Sequence, residues 1–501
     1  MRREFAAVCC AVALLLAGCQ GVGPVTDGGT QAGTDEGTLT VTETPNTTTL
    51  ELRAANGSTD DGATGTGSAA ADPATDRLGW ENGYWYNESL DVDNGDGLND
   101  SELSAFVNRS MARVERVRGL EFEATVPVTT VSRAAYRTRS GNATHGDTLR
   151  TFDNAKFEAL FLVGEGNSAI ESQQNTLGDS VQGYYSPTTD EIVIVTDSET
   201  PRIGERTLSH ELVHAAQDQQ FGIDGDASTR DALQGRNALI EGDATAVETA
   251  YMDRCGSNWS CVTVGQSGGA GGSSGVHLGV LYLMYFPYSD GASFVAELRD
   301  RGGWAALNDA YDDIPDGARE VITPADYPGW TPRNVTIPRP ASDDWEQVRP
   351  STDRDRPDYA TVGPSAIAAG TAYTTDDSYN DSEVVSRFRL ADYDSVGADS
   401  LNYDLPGTSG WEGGRMQVYT SDGETGYVWR TTWTDQQSAE QFAAVWERVI
   451  QHWGGERTDD GNWVIAEESP FTDAVAVHVE GDTVTVVNAP TEAELSELYD
   501  A

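Results

Sequence analysis

A chain of 501 residues, 38% of them hydrophobic, has room for more than one domain and for a sizeable core. Its 81 Asp and Glu against 32 Lys and Arg leave a formal charge of −49. That balance excludes a nucleic-acid-binding surface, because nothing in the chain makes a basic patch. Lysine occurs once, at Lys156; an acid-rich, lysine-poor exterior binds water and cations, and molar salt screens its self-repulsion.

Residues 1–19 read as a targeting segment. Arg2-Arg3-Glu4-Phe5 gives a charged start, and Phe5 to Leu16 is an apolar run too short to span a bilayer comfortably. The end of the run, Leu16-Ala17-Gly18-Cys19, resembles a lipobox, and the Arg-Arg-x-Phe opening resembles a twin-arginine signal. The expectation is a lipoprotein signal peptide, with Cys19 lipidated and the body held on the extracellular face of the membrane. Residues 20–78 are rich in Thr, Gly, Ala, Ser and Asp, and bury too little to offset their ordering entropy; they read as a flexible tether carrying sequons at Asn46 and Asn56. Further sequons stand at Asn87, Asn99, Asn108 and Asn142.

Ordered structure is expected from about Trp80. Asp91 to Glu102 has the look of a calcium loop, but its acids miss the offsets an EF-hand needs, which favours an acidic turn. Apolar spacing predicts helices over 104–118 and 155–162, with a strand at 124–128. Gly183-Tyr184-Tyr185 and Glu191 to Val195, about the turn Pro187 to Asp190, predict a hairpin. A helix over 204–220 follows, and another pattern of helical type covers Asn237 to Thr245. Cys255 and Cys261, the only cysteines of the body, are close enough in sequence to close a disulfide outside the cell. Beyond Pro340 the pattern turns to strands at 415–419, 426–430 and 475–487 with a helix over 439–451. The tryptophans there, from Trp411 to Trp463, read as core rather than as a carbohydrate-binding face. The expected fold class is α+β: a first domain over 79–340 and a smaller α+β domain over 341–501.

His210-Glu211-Leu212-Val213-His214 lies on the helix of 204–220. Two histidines four residues apart project from one helix face, so both imidazoles can hold one Zn²⁺ at about 2.0–2.1 Å. Glu211 stands beside them as a proton acceptor. A third ligand is needed, and Glu241 is the first candidate, with Asp243 and Glu248 as rivals. Asp218, one turn past His214, is a candidate to orient an imidazole.

The His-Glu-x-x-His motif followed by a glutamate on a second helix resembles the gluzincin zinc metallopeptidases. Leu239-Ile240-Glu241-Gly242-Asp243-Ala244 is similar to a segment of their aminopeptidase branch. The run from His210 to Phe221, with Pro287 to Val295 and Gly302-Gly303-Trp304, resembles zincin-like proteins of bacteria and archaea, here a surface lipoprotein of halophilic archaea. The resemblance covers roughly residues 183–327. It implies a zincin-like mixed sheet with an active-site helix, and an edge strand over 192–195 that aligns an extended peptide. It also implies that Tyr288, of a Tyr-x-x-Gly motif, stabilises the oxyanion, with His277, Tyr282 and Tyr285 as alternatives. The expected function is an extracellular zinc-dependent peptidase acting on a peptide or protein substrate through a zinc-activated water. The alternative is a catalytically silent surface binding protein that keeps the fold and the metal.

Overall fold

The computed structural model describes residues 49–50, 73, 75–92, 95–141, 146–178, 181–225, 227–262, 276–350, 357–391 and 401–500. Cys19 and the sequons at Asn46, Asn56 and Asn142 lie outside the described residues, as does almost all of the 20–78 segment. The fold is mixed α+β.

A small hairpin of β2 (Trp80–Glu81) and β3 (Tyr84–Trp85) leads into α1 (Asp100–Arg118). Asn99 caps α1 by accepting from the Ser101 and Glu102 backbone N–H groups, Glu102 returns the bond, and Gly119 closes the helix at φ 78°. A four-stranded sheet has the order β1-β4-β6-β5, where β1 is Thr49–Leu50, β4 Val128–Val131, β5 Gly183–Ser186 and β6 Glu191–Val195. β4 and β6 run parallel with Val128 opposite Ile192, and β5 folds back antiparallel with Tyr185 opposite Ile192. The expected edge strand at 192–195 is therefore an inner strand. β6 pairs with β4 on one side and with β5 on the other, so both of its ladders are used and the edge falls to β5.

Helices α2 (Arg133–Gly141), α3 (Asp147–Ala159) and α4 (Ala169–Gly178) connect β4 to β5. After the sheet come α5 (Glu205–Phe221), α6 (Arg230–Met252) and α7 (Leu278–Asp309). α6 is buried on both sides. Ile240, Ala244 and Val247 join a core with α1, the sheet and α5; Ala238 and Leu239 join a second core with α3 and α7. α7 turns at Gly302 and Gly303, where Gly303 takes φ 66°, and then resumes. The short α8 (Ala318–Ile322) closes this part of the chain.

The C-terminal part is a seven-stranded antiparallel sheet of order β10-β11-β12-β13-β9-β8-β7. Its strands are β7 (Glu346–Gln347), β8 (Trp411–Ser421), β9 (Glu424–Trp433), β10 (Gly455–Arg457), β11 (Trp463–Ile465), β12 (Ala474–Glu480) and β13 (Thr483–Ala489). α9 (Pro364–Tyr373) runs ahead of it, α10 (Gln436–His452) packs on one face, and α11 (Glu492–Leu498) with Trp345 packs on the other. The tryptophans are core: Trp429 meets Phe442 and Trp446 edge-on, and Trp433 stacks on Phe442. This core is continuous with the one shared by α3, α6 and α7, through Phe161 against Trp446 and Phe471.

Candidate metal centre

α5 is fixed before it carries any chemistry. Its first residue, Glu205, is buried and bound to Arg109 and Arg113 of α1, to the Tyr251 hydroxyl of α6 and to the Val262 backbone N–H. With Leu208, Leu212 and Val213 in the core, the histidine face of α5 turns toward α6. His210 Nε2 lies 3.3 Å and His214 Nε2 3.5 Å from the same oxygen, Glu241 Oε2. Four donors around one ion at bond lengths of 2.0–2.1 Å stand about 3.4 Å apart, the edge of a tetrahedron. The donor set therefore has the spacing and the chemistry of a three-ligand metal site.

The other ring nitrogens set the tautomers. His210 Nδ1 is 3.1 Å from Glu248 Oε2, and His214 Nδ1 is 2.8 Å from Gln217 Oε1. Gln217 in turn donates to the Ile240 carbonyl of α6 at 2.9 Å. With both Nδ1 atoms donating, both Nε2 lone pairs face Glu241. Glu248, a rival ligand on sequence grounds, is thus a neighbour of the ring, and it also pairs with the half-exposed Arg206. Asp243, the other rival, is drawn away to Arg118 at 2.8 Å and Tyr311 at 2.9 Å. Asp218 does not orient an imidazole: it accepts from the Tyr185 hydroxyl at 2.8 Å and the Ile223 N–H at 2.9 Å. Gln217 follows His214 by three residues on the same face, but a neutral amide carries no sequence signal that marks it as a ring partner.

Glu211 is fully buried. Its Oε2 accepts from the Tyr185 backbone N–H at 2.7 Å, while its Oε1 has no hydrogen-bond partner. The register explains the first contact. Val195 N–H donates to the Gln182 carbonyl, so in this antiparallel ladder the intervening Gly183 and Tyr185 turn their backbone groups to the edge of the sheet, where Glu211 stands. Tyr288 reaches the centre from α7, its hydroxyl donating to Glu241 Oε1 at 3.2 Å. Two glycines make that reach possible. A Cβ on Gly242 would fall 2.2 Å from the Gly291 carbonyl oxygen, and one on Gly291 would fall 2.3 Å from that of Ala238, so α6 and α7 touch backbone to backbone beside Glu241.

Electrostatics follow from burying three carboxylates around two rings. Burial opposes charge on His210, but hydrogen bonds to Glu241 and Glu248 outweigh it and raise its pKa to about 10. Burial raises Glu211 well above the usual carboxylate range, against the pull of His210 and the Tyr185 N–H. Burial would raise Glu241 too, yet His214 and His210 hold it well below its ordinary value. The centre calls for a cation, met by protons or by a metal.

The remaining candidates have other duties. His277 caps α7, its Nδ1 accepting from Val280 N–H, and packs on Tyr373. Tyr282 donates to the Asn402 carbonyl at 2.5 Å, and Tyr285 stacks on Tyr288. Cys255 and Cys261 form a disulfide just after α6, with Cys261 against Arg113. In the acidic segment of 91–102, the Gly95 and Asp96 carbonyls accept from Arg202 and Thr200, while Asp93 and Asn94 lie outside the described residues.

Residues 347–499 match a family model described as a domain of unknown function, DUF8575. That span is the C-terminal sheet and its helices, so the match leaves the metal centre outside it. No curated protein and no solved structure matches the chain. Among the described residues no helix is long and apolar enough to cross a membrane.

Proposed function

We propose that the chain is a zinc-dependent peptidase of gluzincin type, built on a zincin-like first domain and held outside the cell through lipidated Cys19. The observation that carries this reading is the convergence of both imidazole Nε2 atoms on one Glu241 oxygen beside a buried Glu211 with an unpartnered Oε1. The two-nitrogen, one-oxygen set suits zinc and leaves one position open. Zinc, when bound, supplies Lewis acidity toward a water and a substrate carbonyl oxygen.

Each residue then has one task. His210, His214 and Glu241 hold the ion, and Glu248 and Gln217 keep the rings turned toward it. Glu211 takes the proton of the attacking water at Oε1 and passes it to the leaving amine, while the Tyr185 N–H fixes its other oxygen. A nearby divalent charge brings its raised pKa down into a working range. The Tyr288 hydroxyl donates to the oxyanion that develops at the scissile carbonyl. The outward backbone groups of Gly183 and the outward carbonyl of Tyr185, whose N–H is held by Glu211, offer an extended peptide an edge to pair with.

Glu211→Gln tests the assignment. Zinc content measured by elemental analysis should stay at one per chain while hydrolysis of a peptide library falls to background. Turnover surviving in the variant would sink the mechanism. Zinc in both proteins with hydrolysis in neither would favour the binding-protein alternative.

A further inference from the structure

Asparagine is followed two residues on by serine or threonine more often than composition predicts. Nine of the 19 asparagines stand in such a sequon, where 85 Ser and Thr in 501 residues would give about three. Six of the nine lie among the described residues, at Asn87, Asn99, Asn108, Asn258, Asn334 and Asn380. A glycan is attached at the amide nitrogen, so that atom must be free and within reach of an enzyme.

The fold withholds five of the six. Asn108 is 3% exposed inside α1, and Ser110 of its sequon is buried as well. Asn99 caps α1: its Nδ2 donates to Glu102 Oε2 at 2.7 Å, and its Oδ1 accepts from Ser101 Oγ at 2.7 Å. Asn380 Nδ2 donates to the His452 carbonyl at 2.7 Å, and Oδ1 accepts from the Ser382 N–H at 2.6 Å. Asn258 and Asn334 are exposed, but the middle residue of each sequon is not. Trp259 is buried within the loop closed by the Cys255–Cys261 disulfide, and Val335 is buried while Arg415 donates to Asn334 Oδ1 at 3.3 Å. Lifting either sequon into an enzyme uncovers an apolar side chain.

Asn87 differs. It lies in an irregular stretch between β3 and α1 and is exposed together with Ser89. Neither its amide nor the Ser89 hydroxyl has a hydrogen-bond partner among the described residues. Lifting 87–89 gives up hydrogen bonds, from Arg113 to the Glu88 carbonyl at 3.3 Å and from the Trp85 N–H to the Glu88 carboxylate at 2.9 Å. It uncovers no apolar side chain of the sequon.

We propose that Asn87 carries an N-linked glycan, donated by an oligosaccharide on a lipid phosphate. Asn87 Nδ2 forms a bond to the anomeric carbon, and the bond from that carbon to the phosphate oxygen breaks. The lipid phosphate leaves with the electron pair, and the amide gives up one proton to a basic group of the transferase. The proposal rests on the export of the chain contained in the proposed function. A chain exported by the twin-arginine route that its opening resembles arrives folded, so the fold selects among the sequons.

The test is peptide mass mapping of the full chain purified from the cells that produce it, after separation of envelope and cell interior. The peptide holding Asn87 should carry the added mass of an oligosaccharide, while those holding Asn99, Asn108, Asn258, Asn334 and Asn380 stay bare. Both Asn87→Gln and Ser89→Ala should lose that mass, the second with the asparagine still in place. A bare Asn87 on a chain recovered outside the cell overturns the glycan alone. Glycans spread equally over Asn87, Asn99 and Asn258 overturn selection by the fold. A chain recovered inside the cell overturns the location, and the glycan with it.

Discussion

At the scale of single residues, the centre depends on atoms that never touch a substrate. Glu248 and Gln217 each hold one Nδ1, so Glu248→Gln and Gln217→Ala should weaken zinc about 10–100-fold, measured by competition with a chelating dye. Glu241→Ala should lose the metal altogether. Tyr288→Phe keeps the ring stacked on Tyr285 and removes only the hydroxyl; kcat should fall about a hundredfold with KM little changed. An equal fall in zinc content would instead make Tyr288 a support for Glu241. The two histidines and Glu211 were legible because four-residue spacing on a helix fixes their common face. The partners of the rings were not, because they depend on how α5 crosses α6.

At the scale of elements, two contacts bring the site together. The α6–α7 crossing relies on Gly242 and Gly291, so Gly291→Ala must part the helices. It should cost about 1–3 kcal/mol in stability, and more in activity than in stability, because Tyr288 moves away from Glu241. Chemical denaturation and peptide hydrolysis measured on the same preparation check both. The α1–α5 contact relies on Glu205, whose removal leaves Arg109 and Arg113 buried and unpaired. Glu205→Ala should therefore cost about 3–5 kcal/mol. The sequence pattern placed α5, at Glu205–Phe221 against an expected 204–220, but it set α3 at 155–162 where the helix spans Asp147–Ala159, and it gave no sign of α7 at Leu278–Asp309. It misplaced the edge strand, because a run such as Glu-Ile-Val-Ile-Val shows that a strand is covered but not which neighbours cover it.

At the scale of the whole molecule, charge governs stability. A net charge of −49 resists compaction, and screening shortens from about 10 Å at 0.1 M salt to about 3 Å at 1 M. The unfolding midpoint should therefore drop steeply as salt is withdrawn. The one lysine plays no part at the surface: Lys156 is buried and paired with Asp153, so every exposed basic side chain is arginine. Buried acids add a pH dependence. Burial, then repulsion from Glu115 and Asp76, raises Glu81 to about 9; burial, against the N–H groups of Phe122 and Gly79, raises Glu115 to about 7. The folded chain then holds protons that the unfolded chain releases near its ordinary carboxylate pKa. Their stabilisation is complete below that value and is lost as pH rises through 7 and 9. At constant salt the midpoint should be higher at pH 5 than at pH 9.5, and Glu81→Gln should shrink the difference. An unchanged slope in that variant would place the effect elsewhere.

The sequence alone determined the exterior and the chemical vocabulary. Composition sets the charge, and helical spacing puts His210, Glu211 and His214 on one face, because both depend only on neighbours along the chain. Tertiary structure decided the rest: that Glu241 and not Asp243 meets the histidines, that β5 and not β6 stands at the edge, and that Asp218 serves Tyr185. Each of these turns on which of several nearby carboxylates or strands is captured by a distant partner. Arg118, lying 125 residues from Asp243, is such a partner, and no local pattern records it.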